Sequence, residues 1–487
     1  MTAYGGGAWQ RAYDALPVAM QNVITTVYGL QLERRAYGRH YRRFFAELSR
    51  TQWLDEQVLA KYQAERMREF LRFAREQTPY WRDTMRRHHF DPDDYRVPQD
   101  LLSLPILTKE VVRQEGERIH SAVHRTGRGK CFRIHTGGTT GTALHLLVTD
   151  ECYQREYAFR WLHRSWAGIR RGDRTATLAG HPVVPVADNS PPFWRRSYAQ
   201  HQTYFSSQHF AQSALPYYAA EFRRLRPILV YGYPSSVYLV AAHLEERGPL
   251  EHPPRGVFTH SETLLPHQRA TIERAFGCKA FDWYGNTELC GHVVECERGS
   301  LHVKSDHSLM EVLRPDGAAA EPDQAGEIVG TGFGNLATPL IRYATGDSCV
   351  LSKSRCGCGR PGPIVQELLG RIDDMVVTPE GRHVGSASLS HVFEDALNVR
   401  EAQIVQETVQ RVTVLLACSP EFSSGDRRDI LLGLRRRLGE RIDISLEYVD
   451  AIPRLPNGKF RAVVSRVAPQ IGRARQAETE RTAKWLE

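Results

Sequence analysis

Apolar residues recur at helical spacing through residues 30–76, where Leu59, Tyr62, Met67, Phe70, Leu71, Phe73 and Ala74 are set among many charges. This pattern predicts an amphipathic helical lead-in. Thr78-Pro79 predicts its end, because the residue before a proline is pushed out of helical backbone. From 130 to 350 the pattern changes: short β-rich runs alternate with helical ones, as in 227–231, 236–246 and 256–259. That rhythm predicts layered α/β architecture. Residues 301–352 read as antiparallel strands with turns at Pro315-Asp316-Gly317 and Asp347-Ser348. Past Gly370 a smaller unit follows, with strand-like 404–408 and 411–417, an amphipathic helix over 426–438 and a strand over 443–449. The last stretch, 471–487, is polar and charged and predicts a tail without chemistry.

The expected organisation is a large domain over 1–369, with a helical lead-in over 1–120 and the chemistry in 130–350, then a small α+β domain over 370–470. A chain of 487 residues exceeds what one core usually supports, which agrees with several domains. Met1 to Gln10 lacks a basic segment followed by an apolar one, so no signal peptide is expected. Val18 to Leu30 is broken by Gln21, Asn22, Thr25 and Thr26 and is too short for a membrane span. A cytoplasmic protein is expected, its nine cysteines reduced or metal-bound. The net charge of +8 comes from 64 Lys and Arg, only eight of them Lys. The arginines are spread along the chain with no aromatic-interleaved stripe, which argues against nucleic acid and for anionic small molecules.

Ile134-His135-Thr136-Gly137-Gly138-Thr139-Thr140-Gly141-Thr142 is a Gly/Thr loop between two apolar runs. Closely spaced N–H groups without Cβ atoms, together with hydroxyls, make a phosphate cradle. The Gly-Lys-Ser/Thr ending of a Walker A loop is missing. Four more segments follow in order: Asp282-Trp283-Tyr284-Gly285-Asn286-Thr287-Glu288, Tyr343-Ala344-Thr345-Gly346-Asp347, Gly370-Arg371-Ile372-Asp373-Asp374 and Pro453-Arg454-Leu455-Pro456-Asn457-Gly458-Lys459. Each alone is more often a turn than a site.

In this order and spacing, the five motifs resemble the adenylate-forming superfamily of acyl-CoA synthetases, adenylation domains and luciferases. Leu104-Pro105-Ile106-Leu107-Thr108-Lys109, Tyr231-Gly232-Tyr233-Pro234-Ser235 and Pro339-Leu340-Ile341-Arg342-Tyr343 are similar to its phenylacetate–CoA ligase/CapK-like branch. The resemblance covers about 50 to 465. It implies layered β-sheets with helices, a small β-barrel-like part and a mobile C-terminal domain. It also implies ATP-dependent, Mg²⁺-dependent conversion of an aryl or similar acid into acyl-AMP, with pyrophosphate released, then transfer to CoA. The alternative acceptor is an amine, on an amino acid, amino sugar or natural-product precursor, or a separate carrier protein. A homodimer belongs to the same set of expectations.

By the same resemblance, Thr136, Gly137, Gly138, Thr139, Thr140 and Gly141 hold the β- and γ-phosphates, and Thr139 is catalytic. Thr287 bonds the α-phosphate, Glu288 ligates Mg²⁺, and Tyr284 lies on the adenine within Asp282-Tyr284-Gly285-Asn286. Asp347 takes the ribose hydroxyls, Arg371 adds a cation near the nucleotide, and Asp373 is the domain hinge. Lys459 is the catalytic cation. Ser261-Glu262 stands in the nucleotide pocket where Gly-Glu is the commoner pair, and Arg382 or His383 is the equivalent of a further cation. Tyr231, Tyr233 and Pro234, with His209 and Phe210, are candidates for the acyl pocket or for core packing.

Cys296 and His302 flank one turn, and Cys356-Gly357-Cys358 forms another. Two such pairs suit a closed tetrahedral zinc site, and free thiols are the alternative reading. Similarity to CapK-like proteins favours zinc. Cys290 or His292 could replace one ligand, and His307 is a weaker candidate.

Overall fold

The computed structural model describes residues 7–125, 131–135, 144–181, 183–185, 188, 190–210, 213–248, 250–371, 375–379, 383–384, 389, 392–393, 396, 398–455 and 459–467. The lead-in is helical, but Tyr37-Gly38 and 52–55 divide it into Val18–Ala36, Arg39–Thr51 and Glu56–Gln77. Asp55 caps the third helix by accepting from the Val58 N–H at 2.9 Å. Thr78 ends that helix and also starts the next, Pro79–Arg87, where its hydroxyl accepts from the Trp81 N–H at 3.4 Å. Trp81 is fully buried and its indole N–H donates to the Pro339 carbonyl at 2.9 Å, which pins the lead-in to the main domain.

Helix Val18–Ala36 turns its polar side inward. Gln21, Thr25 and Gly29 are buried, whereas Met20, Val23, Val27 and Leu30 are exposed. The reason is the strand it covers, Trp194–Ser197. The Gln21 side-chain Oε1 accepts from the Arg195 guanidinium, and Asn22 Oδ1 accepts from the Arg196 N–H at 2.8 Å. Asn22 and the Thr26 hydroxyl, which accepts from the Tyr198 N–H at 3.2 Å, thus take up backbone groups at the sheet edge. No helix of the described residues is long and apolar enough to cross a membrane.

One twelve-stranded sheet carries the main domain. Its parallel part runs in the spatial order Gln202–Phe205, Thr175–Leu178, Leu229–Gly232, Gly256–His260 and Ala280–Gly285. Helices Leu215–Leu225, Pro234–Glu245 and Pro266–Phe276 connect or flank these strands and bury Phe222, Val237, Val240 and Ile272 against them. From Ala280–Gly285 onward the sheet is antiparallel, through His292–Glu295, Leu301–Val303, Ile364–Arg371, Tyr343–Ser352, Ala325–Thr331 and Leu309–Leu313. The turn expected at Asp347-Ser348 is instead a bulge inside strand Tyr343–Ser352, where Gly346 takes φ +75° and the register shifts after Ser348. An extra residue in one strand bends it without ending it.

The smaller unit pairs Val399–Thr408 with Arg411–Cys418 as a hairpin, flanked by Val463–Ser465 and Asp443–Tyr448, both parallel to their neighbours. Ser423 and Asp426 form a capping box at the start of helix Ser424–Leu438. Ile430 and Leu434 pack on Val412, Val414 and Leu416 in a core of its own.

His163 is buried in the main core. Its Nε2–H donates to the Glu295 carbonyl at 2.7 Å, and its Nδ1 has no partner. A second proton would therefore have nothing to bond. Burial, with the nearby cations Arg164, Lys304 and Arg360, lowers its pKa to about 3, against the partial offset of the Glu295 bond. The unfolded chain binds that proton near pH 6.5, so stability is whole above that pH and falls as pH drops toward 3. At pH 5 the loss from this residue is about 2 kcal/mol. Urea titrations at pH 7 and pH 5 are expected to show a fall that includes this share, and His163→Gln to shrink it by about 2 kcal/mol. An unchanged pH dependence in the variant would refute the assignment.

Candidate active site

The C-terminal end of the central parallel strand Ala280–Gly285 places the first group of residues. Asp282 sits low in a cleft, its carboxylate accepting from the Thr259 hydroxyl at 2.7 Å. Burial first, and then the neighbouring Glu295, raises its pKa to about 6. Two residues on, the Tyr284 hydroxyl donates to Asp347 Oδ2 at 2.9 Å. The strand then turns sharply: Asn286 Oδ1 accepts from the Cys290 N–H at 3.0 Å and Leu289 takes φ +60°. Gly330 and Gly332 permit that turn, since a Cβ would lie 2.0 Å from the Cys290 carbonyl oxygen and 2.2 Å from that of Leu289. Thr287 and Glu288 are thereby held over the strand end, and Glu288 accepts from the Tyr343 hydroxyl at 2.9 Å.

Asp347 stands opposite Arg371 in the antiparallel register, so those two motifs meet through the backbone. The Arg371 side chain, Asp373 and the loop Thr136, Gly137, Gly138, Thr139, Thr140 and Gly141 lie outside the described residues, as do Arg382 and the His383 side chain.

Ser261 and Glu262 follow strand Gly256–His260. Ser261 adopts φ +68°, the left-handed region that glycine enters most easily. This accounts for glycine being the commoner residue at such a position. Glu262 accepts from the Ser235 N–H at 3.1 Å with one oxygen and from the Phe460 N–H at 2.6 Å with the other. It therefore ties the main domain to the segment that carries Lys459. Burial raises the Glu262 pKa, and those hydrogen bonds oppose the rise. Lys459 reaches the cleft, with Nζ 5.8 Å from the centre of the Tyr233 ring. Glu262, Asp282, Tyr284, Thr287, Glu288, Asp347 and Lys459 line one cleft of about 230 Å³. Residues nearly 200 positions apart in sequence thus surround a common space.

Beside this cleft is a second cavity of about 370 Å³, which shares Ser261, Trp283, Gly285, Asn286 and Thr287 with it. Tyr231 lines it and stacks on His260 at 4.3 Å between ring centres. Of the other expected acyl-pocket residues, Tyr233 packs edge-on against His260, and Pro234 is the buried first residue of its helix. His209 and Phe210 do not line the cavity. His209 stacks on Phe193, and Phe210 packs on Tyr218, so both belong to the core behind it.

The sequence reading passed over several cavity residues, Tyr28, Tyr153, Glu156 and Arg160, and gave Trp283 and His292 no part in this cavity. Glu156 and Arg160 lie one helical turn apart on Asp150–Ser165. Charges at that spacing also suit an ordinary exposed helix face, and only the strands packed around this one bury them.

Cys296, His302, Cys356 and Cys358 bring their ligand atoms within 4.8 Å of one another. Cys296 Sγ and Cys356 Sγ are 3.6 Å apart, and Cys358 Sγ is 3.3 Å from His302 Nε2. The N–H groups of Arg298, Cys358 and Arg360 point at the three sulfurs, each at 3.4 Å. Burial and the cations Lys304 and Arg360 lower the His302 pKa to about 4, so its imidazole is neutral at pH 7. The other candidates are elsewhere. Cys290 contacts Asn286, while His292 and His307 approach the two oxygens of buried Glu156 at 3.0 and 3.1 Å.

Residues 376–466 match the family model of the CapK C-terminal domain. Protein CapK of Staphylococcus aureus is 24% identical over 462 residues, covering 93% of this chain and 99% of that protein. Over 376–466 the chain thus carries a CapK-type C-terminal domain, and over nearly its whole length it is similar to CapK. Phenylacetate-coenzyme A ligase of Thermus thermophilus is 26% identical to this CapK-like chain, covering 66% of it and 73% of that enzyme. The fold matches that of 2-hydroxyisobutyryl-CoA ligase in the postadenylation state with a bound acyl-AMP, at 18% identity and a TM-score of 0.68 over 88% of this chain and 94% of that one. The thioesterification state of the same ligase aligns at 0.51.

Proposed function

We propose that this CapK-like chain activates a carboxylic acid with ATP and Mg²⁺ as an acyl-adenylate and transfers the acyl group to CoA. The observation that carries the proposal is the meeting of Lys459 with Thr287, Glu288 and Asp347 in one cleft that opens into an aromatic cavity. A carboxylate is a poor acyl donor until its oxygen is attached to a better leaving group. Attack on the α-phosphate makes that bond and expels pyrophosphate, and the charge that develops needs fixed partners. Thr287 bonds the α-phosphate, Glu288 holds Mg²⁺ with Tyr343 orienting it, and Lys459 offsets charge at the reacting phosphorus. Asp347 takes the ribose and Tyr284, anchored by Asp347, flanks the adenine. The loop over 136–141 covers the outer phosphates, and Asp373 and Arg371 serve as hinge and further cation. The larger TM-score to the postadenylation state supports a domain arrangement suited to the first half-reaction.

Pyrophosphate release over a panel of aryl, aliphatic and amino acids tests the proposal. ATP-dependent release with at least one class is expected, and silence with all would overturn it. The second reading passes the adenylate to an amine. The coenzyme A ligase matches over two thirds of the chain, which leaves room for a different acceptor. Mass spectrometry of products formed with CoA or with amines decides between them.

A structural zinc held by Cys296, His302, Cys356 and Cys358 belongs to the same proposal. Two sulfurs on a tetrahedral zinc lie about 3.8 Å apart, close to the 3.6 Å separation found. N–H groups aimed at each sulfur are the outer contacts that such thiolates need. Four protein ligands leave no open position, so the ion braces the turns around Ser300 and Gly357 without activating water.

A further inference from the structure

Helix Val18–Ala36 turns Gln21, Thr25 and Gly29 toward its own sheet and carries Met20, Val23, Val27 and Leu30 on the opposite side. Those four apolar residues are 52, 60, 50 and 45% exposed. They are spaced three, four and three positions apart. That is the seam of a coiled coil, narrower than the face by which a helix packs on a core. Thr26 borders the seam on one side and Gln31 on the other. Tyr198, 60% exposed, lies beside it, where its N–H donates to the Thr26 hydroxyl at 3.2 Å.

A seam of this width fits another helix. A membrane surface calls for a broader apolar face, and the polar borders at Thr26 and Gln31 deny it one. The spacing also reads the same from either end, so the seam is complementary to itself. Self-complementarity is the condition for a two-fold contact between identical chains. An antiparallel pair sets Met20 against Leu30 of the second copy and Val23 against its Val27.

Charge selects the antiparallel direction. Arg34, Arg39 and Arg42 are exposed just beyond the seam. A parallel pair would bring each of them beside its own counterpart. In the antiparallel pair the two Arg34 positions are about 27 Å apart at the helical rise per residue, well beyond the screening length of about 8 Å. With Tyr198 the seam offers roughly 500 Å² a copy, or about 1,000 Å² for the pair, the lower limit of a specific interface.

We infer that two copies of this chain associate through an antiparallel pair of these helices, about a two-fold axis that passes between Val23 and Val27. The inward side of the same helix supplies Thr25, Tyr28 and Leu32 to the cavity beside the cleft. The contact therefore braces one wall of that cavity from outside. The association does not depend on the proposed adenylation.

Sedimentation equilibrium on the full chain tests it. The parent protein is expected to form dimers with a dissociation constant on the order of 10 μM, as suits an interface of this size. Val23→Lys and Val27→Glu are each expected to weaken association about 30-fold or more, since each buries unpaired charges in the seam. Both positions are half exposed or more, and unchanged unfolding midpoints will show that the variants stay folded. Mixed in equal amounts, the two variants are expected to associate within about 10-fold of the parent, because the new ammonium and carboxylate then face each other across the axis. A parent that stays monomeric at about 100 μM, whether free or bound to phosphatidylglycerol vesicles, overturns the inference. So does a dimer that both variants leave intact, or a pair of variants that remain apart when mixed.

Discussion

Lys459→Ala is expected to slow acyl-adenylate formation by about 10²–10³-fold and to leave transfer from a supplied acyl-AMP to its acceptor within a few-fold of normal. The asymmetry follows from where the residue is held. Lys459 enters the cleft on a segment tied to the main domain by the Phe460 N–H and Glu262, at 2.6 Å. Its charge matters while negative charge shifts onto the expelled pyrophosphate, and it has no such task once the adenylate exists. Rotation of the small domain for the second half-reaction would carry it out of the cleft. Pyrophosphate exchange reports the first half, and thioester or amide formation from synthetic acyl-AMP reports the second. Equal loss in both assays would show that Lys459 stays in place throughout, and the rotation would have to be abandoned.

Cys356→Ser is expected to reduce bound zinc from about one equivalent to well under half, and to lower stability by about 4 kcal/mol or more. Cys356 is the ligand whose loss separates the two turns, since its sulfur approaches that of Cys296 at 3.6 Å. Burial raises its pKa, but hydrogen bonds from Ser300, the Cys358 N–H and side chain, and Cys296 outweigh it, so the net shift is downward. Cys296 behaves oppositely: burial pushes it up to about 11. A thiolate at Cys296 therefore needs a cation beside it, which is what the proposed zinc would supply. Metal analysis by mass spectrometry and urea unfolding of both proteins measure the effect. Full zinc occupancy in the variant, or a parent protein purified from zinc-supplemented medium without the metal, would defeat the assignment. Because no ligand position is open, residual adenylation by the folded fraction of Cys356→Ser should keep its KM for ATP.

The motifs legible in the sequence are those whose chemistry is local. Asp282 to Glu288 lie on one strand and the turn that follows it, and Thr345 to Asp347 on one bulged strand, so their order and spacing survive folding. The helix over Ser424–Leu438 and the hairpin before it were legible for the same reason, as periodicity and the two-residue gap at Val409-Gln410 act within a few residues. The cysteine and histidine pairs also sit on short turns, and the four ligand atoms fall into one cluster as expected.

What the sequence left open depends on contacts between distant segments. Glu156 and Arg160 look like ordinary helix charges until strands from residues 230 and 283 are packed on them, and only that packing places both in the wall of one cavity. Helix Val18–Ala36 conceals its polar side because an edge strand some 170 residues later takes up its amides, so hydrophobicity alone points its faces the wrong way. His209 and Phe210 were aromatic and close in sequence to the expected pocket, yet the sheet directs them into the core. By itself the sequence determined which residues are the candidates for phosphate, metal and ribose, because such affinities reside in the side chains and their immediate spacing. Which of them share a cavity, and which charges are buried there, the tertiary structure alone decided, because desolvation and pairing are properties of surroundings that a linear chain does not yet have.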